Sequence, residues 1–156
     1  MEFDSSYVEK DTVINGETYY KLVSEDEFSN INQLASYLKD SLHFLVSVGG
    51  RIIFSSQDFH TTFLTRYYNM SVTDTVAKVE TKMEDHPTVL TVPAGIFNTL
   101  NYKTTFTMYP GYQQAGTIRY MHCRYAKNVG IVVQTLPFYS AIPNYKERRL
   151  IRYHIQ

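Results

Sequence analysis

Five histidines and a single cysteine are the side chains here best suited to metal binding or nucleophilic attack, and their spacing supports neither. His43, His60, His86, His122 and His154 contain no His-x-His or His-x₃-His pair, and Cys123 has no second cysteine with which to share a zinc ion. His122 and Cys123 are neighbours, so on a strand they leave on opposite faces and cannot act on one another. Asp58 and His60 share a face if that segment is extended, which would orient the imidazole, but no Ser or Cys motif lies near them. The carboxylates of Glu25-Asp26-Glu27 and Glu84-Asp85 fall at the ends of apparent helices. The first group complements a helix N-terminus, and the second sits at the wrong end for that benefit. Phosphate-binding glycine loops and a G-x-S-x-G elbow are both missing. These residues point away from an enzyme and call for no metal ion and no cofactor.

The basic residues form the more informative pattern. In Thr117-Ile118-Arg119-Tyr120-Met121-His122-Cys123-Arg124-Tyr125, strand alternation places Ile118, Tyr120, His122 and Arg124 on one face. Arg119, Met121, Cys123 and Tyr125 then occupy the other. The triplet Ile-Arg-Tyr returns at 151–153, beside Lys146, Arg148 and Arg149. Arg119, Arg124, Tyr125, Lys146, Arg148, Arg149, Arg152 and Tyr153 are therefore the candidate partner-binding residues. Arginine and aromatic side chains together suit a protein interface, and they also suit the charge-plus-stacking surface of single-stranded nucleic-acid binders. No RNP-like motif accompanies them.

The charge behind that pattern is unevenly distributed. Residues 1–90 hold seven Lys and Arg against fourteen Asp and Glu, net −7, whereas residues 91–156 hold eight against one, net +7. The formal net charge of zero hides this asymmetry, which is a signature of an interaction surface. Fourteen tyrosines with no tryptophan add large, adhesive side chains that fit a pleated surface.

These residues must be positioned by a chain of 156 residues, read as one domain over 1–156 that buries about two-thirds of its surface. The polar, acidic stretch Met1–Lys10 carries no signal-peptide pattern. No apolar run approaches the roughly 18–20 residues of a membrane span. Asn15-Gly16 is the strongest turn signal and predicts a type I′ hairpin with strands near 8–14 and 17–23. Gly49-Gly50 predicts a second two-residue hairpin between 44–48 and 51–55.

Ile31, Leu34, Ala35, Leu38 and Leu42 recur at helical spacing and predict a helix over 29–42. Val72, Val76, Val79 and Met83, with Ser71 and Asp74 as a capping box and Pro87 as a stop, predict a second over 72–85. Asp58–Met70 fits either strand or short helix. Beyond Pro87, strands are expected at 88–92, 102–109, 117–126, 129–136 and 150–155, close enough together for an antiparallel meander.

The expected fold is α+β, a mainly antiparallel sheet or partly closed barrel with two helices. The expected role is a structural, interaction protein that assembles with other protein subunits in homo- or hetero-oligomers, away from membranes. Composition suggests a phage or viral virion component (tail, collar, connector or minor capsid protein), located in a virion or the cytoplasm. The alternative is a single-stranded nucleic-acid-binding module.

Overall fold

The computed structural model describes residues 5–25, 34–114, 116–137 and 145–155. These form twelve strands in two antiparallel sheets, and no helix occurs among the described residues. The chain divides into two compact units, Met1–Gln57 and Asp58–Gln156.

The first unit is a five-stranded meander in the order β1-β2-β3-β4-β5. Its strands are β1 (Ser5–Ile14), β2 (Glu17–Glu25), β3 (Leu34–Ser41), β4 (Phe44–Ser47) and β5 (Ile52–Ser55). Asn15 and Gly16 take φ of 52° and 81° between β1 and β2, the two left-handed positions of a type I′ turn, as expected. The glycine pair closes a wider loop than expected: Ser47 N donates to Arg51 O and Gly50 N to Ser47 O, so the connection spans 48–51.

The second unit is a seven-stranded sheet in the order β12-β11-β10-β9-β7-β6, with β8 also pairing β9. Its strands are β6 (Leu64–Ser71), β7 (Asp74–Met83), β8 (Thr88–Val92), β9 (Gly95–Met108), β10 (Ile118–Ala126), β11 (Gly130–Pro137) and β12 (Tyr145–Arg149). β9 is long enough to serve two partners on one edge. Its first residues pair with β8 through Thr88↔Thr99, and its later ones with β7 through Met83↔Tyr102. Strands expected at 88–92, 117–126 and 129–136 are present nearly as read, and 102–109 is the second half of β9. The expected strand at 150–155 is replaced by β12 over 145–149, after which the chain is irregular.

The α+β expectation is overturned: the described fold is all-β. The stretch read as a helix over 72–85 is β7. In it Ala77, Val79, Thr81 and Met83 are buried while Lys78, Glu80 and Lys82 project from the other face, a strict period of two. Ser71 and Asp74 form the closing pair of the β6–β7 hairpin, and Val72 is a fully exposed turn residue. Branched side chains, crowded in a helix, fit that pleat well. The other predicted helix, 29–42, lies partly outside the described residues, and its described part is β3. Leu42, assigned to an apolar helix face, is 95% exposed in the β3–β4 turn with φ of 59°.

The hydrophobic cluster of the second unit lies on one face of its sheet, and Asn101, Val133 and Thr135 are buried on the other. In the cluster Val79, Phe106, Ala77 and Met108 are buried together, with Val76, Tyr112 and Met121 packed against them. Tyr68 stacks near Phe106 and Phe63 near Tyr102 on the same face. In the first unit, only Tyr19, Val23 and Ser55 are buried among the described residues.

Candidate functional site

Register determines which side chains share a face. In the first unit, Val13 opposes Thr18, Val8 opposes Leu22, Tyr20 opposes Leu38, and Ser24 opposes Leu34. Directly opposed residues point the same way, so Val8, Val13, Tyr20, Leu22, Leu34 and Leu38 lie on one face of the sheet. Val8, Val13, Tyr20 and Leu34 are exposed, Val13 by 70%. The opposite face carries Lys39, ion-paired to Glu17 at 2.5 Å, and Lys21, paired to Glu9 at the β1 bulge. Asp11, Thr18, Ser24 and Ser36 share that face, so it is mixed, with exposed apolar side chains of the kind protein contact surfaces present set among polar ones. β1 is also an edge strand, exposed over most of its length. Such edges invite pairing with another chain.

In the second unit, the alternation read along 117–125 is present. Arg119, Met121 and Cys123 oppose Phe106, Thr104 and Tyr102 on the core face. Tyr120, His122 and Arg124 oppose Thr105, Lys103 and Asn101 on the polar face. The eight candidate residues therefore do not converge on one surface. Arg119 is 4% exposed within the core face. Tyr125 is partly buried near the bulge where Arg124 gives way to Ile131's pairing. Lys146 and Arg148 oppose Leu136 and Gln134, and Arg152 and Tyr153 are exposed, with the Tyr153 ring edge-on to Phe97 at 5.8 Å.

Two of the eight do meet. Arg124 and Arg149 both oppose Val133, from β10 and β12 on either side of β11. They line a cleft of about 210 Å³ with His122, Thr135, Glu147 and, from β8, Leu90 and Thr91. The chain after β12 ties back to the β8–β9 hairpin through an Ala94 N to Leu150 O hydrogen bond, so the hairpin forms one wall.

A hydrogen-bonded group that sequence reading missed extends from the cleft. Asn101 Nδ2 donates to Glu84 Oε2 at 2.6 Å and to His122 Nδ1 at 2.8 Å, and Lys103 Nζ donates to Glu84 Oε1 at 2.9 Å. Because an amide nitrogen only donates, His122 Nδ1 accepts, and the ring proton sits on Nε2. Lys103 Nζ also lies 4.3 Å from the Tyr120 ring centroid. Burial pushes the Glu84 carboxyl up, but hydrogen bonds from Lys103 and Asn101 and the charges of Lys103 and Arg124 outweigh it and hold Glu84 below its ordinary range. Burial, reinforced by Arg124, pushes His122 down, so the ring is neutral at physiological pH. Asn101 Oδ1 and Arg124 Nη1 are buried with no hydrogen-bond partner. Glu147 is paired to Arg149 at 2.5 Å.

Chemically, the cleft offers a neutral imidazole, one guanidinium without a carboxylate of its own and two threonine hydroxyls. Its described lining holds no cysteine or serine, and neither threonine hydroxyl is hydrogen-bonded to His122, whose Nδ1 is taken by Asn101. Cys123 lies on the other face with its thiol pushed up to about 11 by burial. Among the described residues, no three His, Cys, Asp or Glu side chains are grouped to hold a metal ion, and no helix is long and apolar enough to cross a membrane. Comparison with protein families, with characterised proteins and with solved structures finds no match, so no catalytic family is identified.

Proposed function

We propose that this chain is a structural, interaction protein that assembles with other protein subunits through two oppositely charged β-sheet units. The observation that carries this reading is where the charge divides. Met1–Gln57 contains four Lys and Arg against nine Asp and Glu, net −5, and Asp58–Gln156 contains eleven against six, net +5. The two units thus carry net charge of opposite sign, although the sharper division, −7 against +7, falls at residue 90 within the second unit. Complementary charge steers encounters and suppresses wrong pairings, and a surface that meets its opposite on another copy generates head-to-tail contacts.

The exposed Val8, Val13, Tyr20 and Leu34 of the first unit and its edge strand β1 supply contact area that charge alone does not. A virion part belongs to the class of assemblies this describes. The nucleic-acid reading has less support: Arg119, one of its strand arginines, is buried on the core face, away from Tyr120 and Arg124.

The test is paired charge reversal. Arg148→Glu with Arg149→Glu weakens association at low salt, whereas Lys127→Glu, in the exposed turn before β11, leaves it nearly unchanged. Equal effects contradict a localised basic contact. Salt-dependent binding to single-stranded DNA, with a log–log slope of about −0.7 per neutralised phosphate, would favour the nucleic-acid reading instead.

A further inference from the structure

We propose that residues 151–155 of one copy add as a strand to the free edge of β1 in a second copy, joining the basic unit of one chain to the acidic unit of the next. The inference rests on the assembly reading and names its contact. β1 ends the five-stranded sheet, pairing with β2 alone among the described strands, and Ser5–Asp11 and Val13 are exposed. The two-residue turn Asn15-Gly16 makes Ile14↔Glu17 a hydrogen-bonded pair. Alternation then turns the N–H and C=O of Val13 and Asp11 away from β2, and the side chains of both lie on the exposed, mixed face. Glu9 is held by Lys21 at the bulge, whereas Asp11 has no ion pair among the described residues.

The segment after β12 has the pattern of a strand and lacks a partner strand. Ile151, Tyr153 and Ile155 alternate with Arg152 and His154, yet 151–155 is irregular and its backbone makes no hydrogen bond among the described residues. Ile151, Tyr153 and Ile155 are all exposed, so the apolar row is open to a neighbour. Leu150 fixes where the segment starts, since its N donates to Val132 O and its O accepts from Ala94 N. Beyond it, the Tyr153 ring meets Phe97 edge-on at 5.8 Å. A stretch of this length is an ordinary strand. Adding it to an exposed edge pairs open N–H and C=O groups on both sides. Charge agrees: the segment carries Arg152 and no acid, and the edge carries Asp11 in a unit of net −5. Both edge and segment stay exposed in the single chain, and being different surfaces they make a head-to-tail contact that repeats from copy to copy.

The experiment is sedimentation velocity of the full chain at low salt with variants that leave the charge unchanged. Val13→Pro removes an outward N–H, and Ile151→Ser with Ile155→Ser removes the apolar row; each weakens self-association by about tenfold or more. Val72→Ser, in the exposed β6–β7 turn, leaves it unchanged. Because no charge differs, a loss separates strand pairing from charge attraction alone. Amide exchange of the wild type reads the same contact without a variant: the Asp11 and Val13 amides become protected as concentration rises and lose protection on dilution. That measurement decides the question if Val13→Pro loses its native amide dispersion. A wild type that associates while both variants match it, with Asp11 and Val13 unprotected, overturns this contact and leaves the assembly reading standing. A wild type that stays monomeric overturns both. Weakening by Val13→Pro but not by the serine pair assigns the edge to a second β1, and protection independent of concentration assigns it to the segment of the same chain. Either result overturns the proposal.

Discussion

Replacing Glu84 by glutamine removes the one carboxylate that holds Lys103 and Asn101 together at the edge of the cleft. The carboxylate accepts 2.9 Å and 2.6 Å hydrogen bonds with its two oxygens, and its side chain is 18% exposed. Glutamine has one acceptor oxygen, so either Lys103 or Asn101 loses its partner and faces an N–H₂ group instead. A charge-assisted hydrogen bond contributes about 1.5–3 kcal/mol, and partial exposure places the expected loss near the middle, about 2 kcal/mol. In a unit of this size, that lowers the melting temperature by roughly 10 °C.

The loss has a pH signature. Glu84 is held below its ordinary 4.5, so its ionisation favours the folded state. Its contribution is whole above the unfolded value and disappears as pH falls through the lower folded one. Urea unfolding of wild type and Glu84→Gln, followed from neutral to acid pH, therefore shows a gap that closes on acidification. A variant within about 0.5 kcal/mol of wild type at neutral pH, where ordinary surface substitutions fall, refutes the reasoning. So does a gap that stays constant into acid.

Other expectations follow from the same geometry. Leu42→Asn relieves a branched side chain held at φ of 59° and raises stability by about 1 kcal/mol in urea unfolding, since Asn tolerates the left-handed region. A destabilised variant contradicts this. Thr81 and Thr104 share a buried 3.0 Å hydroxyl hydrogen bond. Either single Thr→Val change costs about 1–3 kcal/mol by orphaning the other hydroxyl, while the double change recovers most of the loss. Additive losses in the double variant contradict that account. The Cys123 thiol, buried and raised to about 11, resists thiol reagents in the native protein near neutral pH and reacts fully on unfolding. Rapid native labelling shows that the strand face is mis-assigned.

The features legible in the sequence were those fixed by local backbone chemistry. Asn15-Gly16 specified its turn because both residues tolerate positive φ, and the closely spaced runs after Pro87 paired as a meander. The β7 segment misled because its apolar residues fit two periods at once. Val72, Val76, Val79 and Met83 satisfy helical spacing, while Ala77, Val79, Thr81 and Met83 satisfy alternation, and a threonine and an alanine carry little weight as apolar markers. The alternating Lys78, Glu80 and Lys82, absent from a helical stripe, were the available signal. The cleft was less legible still. Glu84, Asn101 and His122 lie 17 and 21 residues apart and meet only through the registers of β7 with β9 and of β9 with β10. Arg119 and Arg124, equivalent by residue type, differ in role because five positions along a strand place them on opposite faces.

The assembly account is tested most directly by sedimentation velocity of the intact chain over a concentration series at low and high salt. Attraction between opposite units predicts a sedimentation coefficient that rises with concentration at low salt. It predicts a return to monomer near 1 M salt, where the screening length falls to about 3 Å. A sharp monomer boundary at every concentration in low salt, with no larger species, contradicts the account.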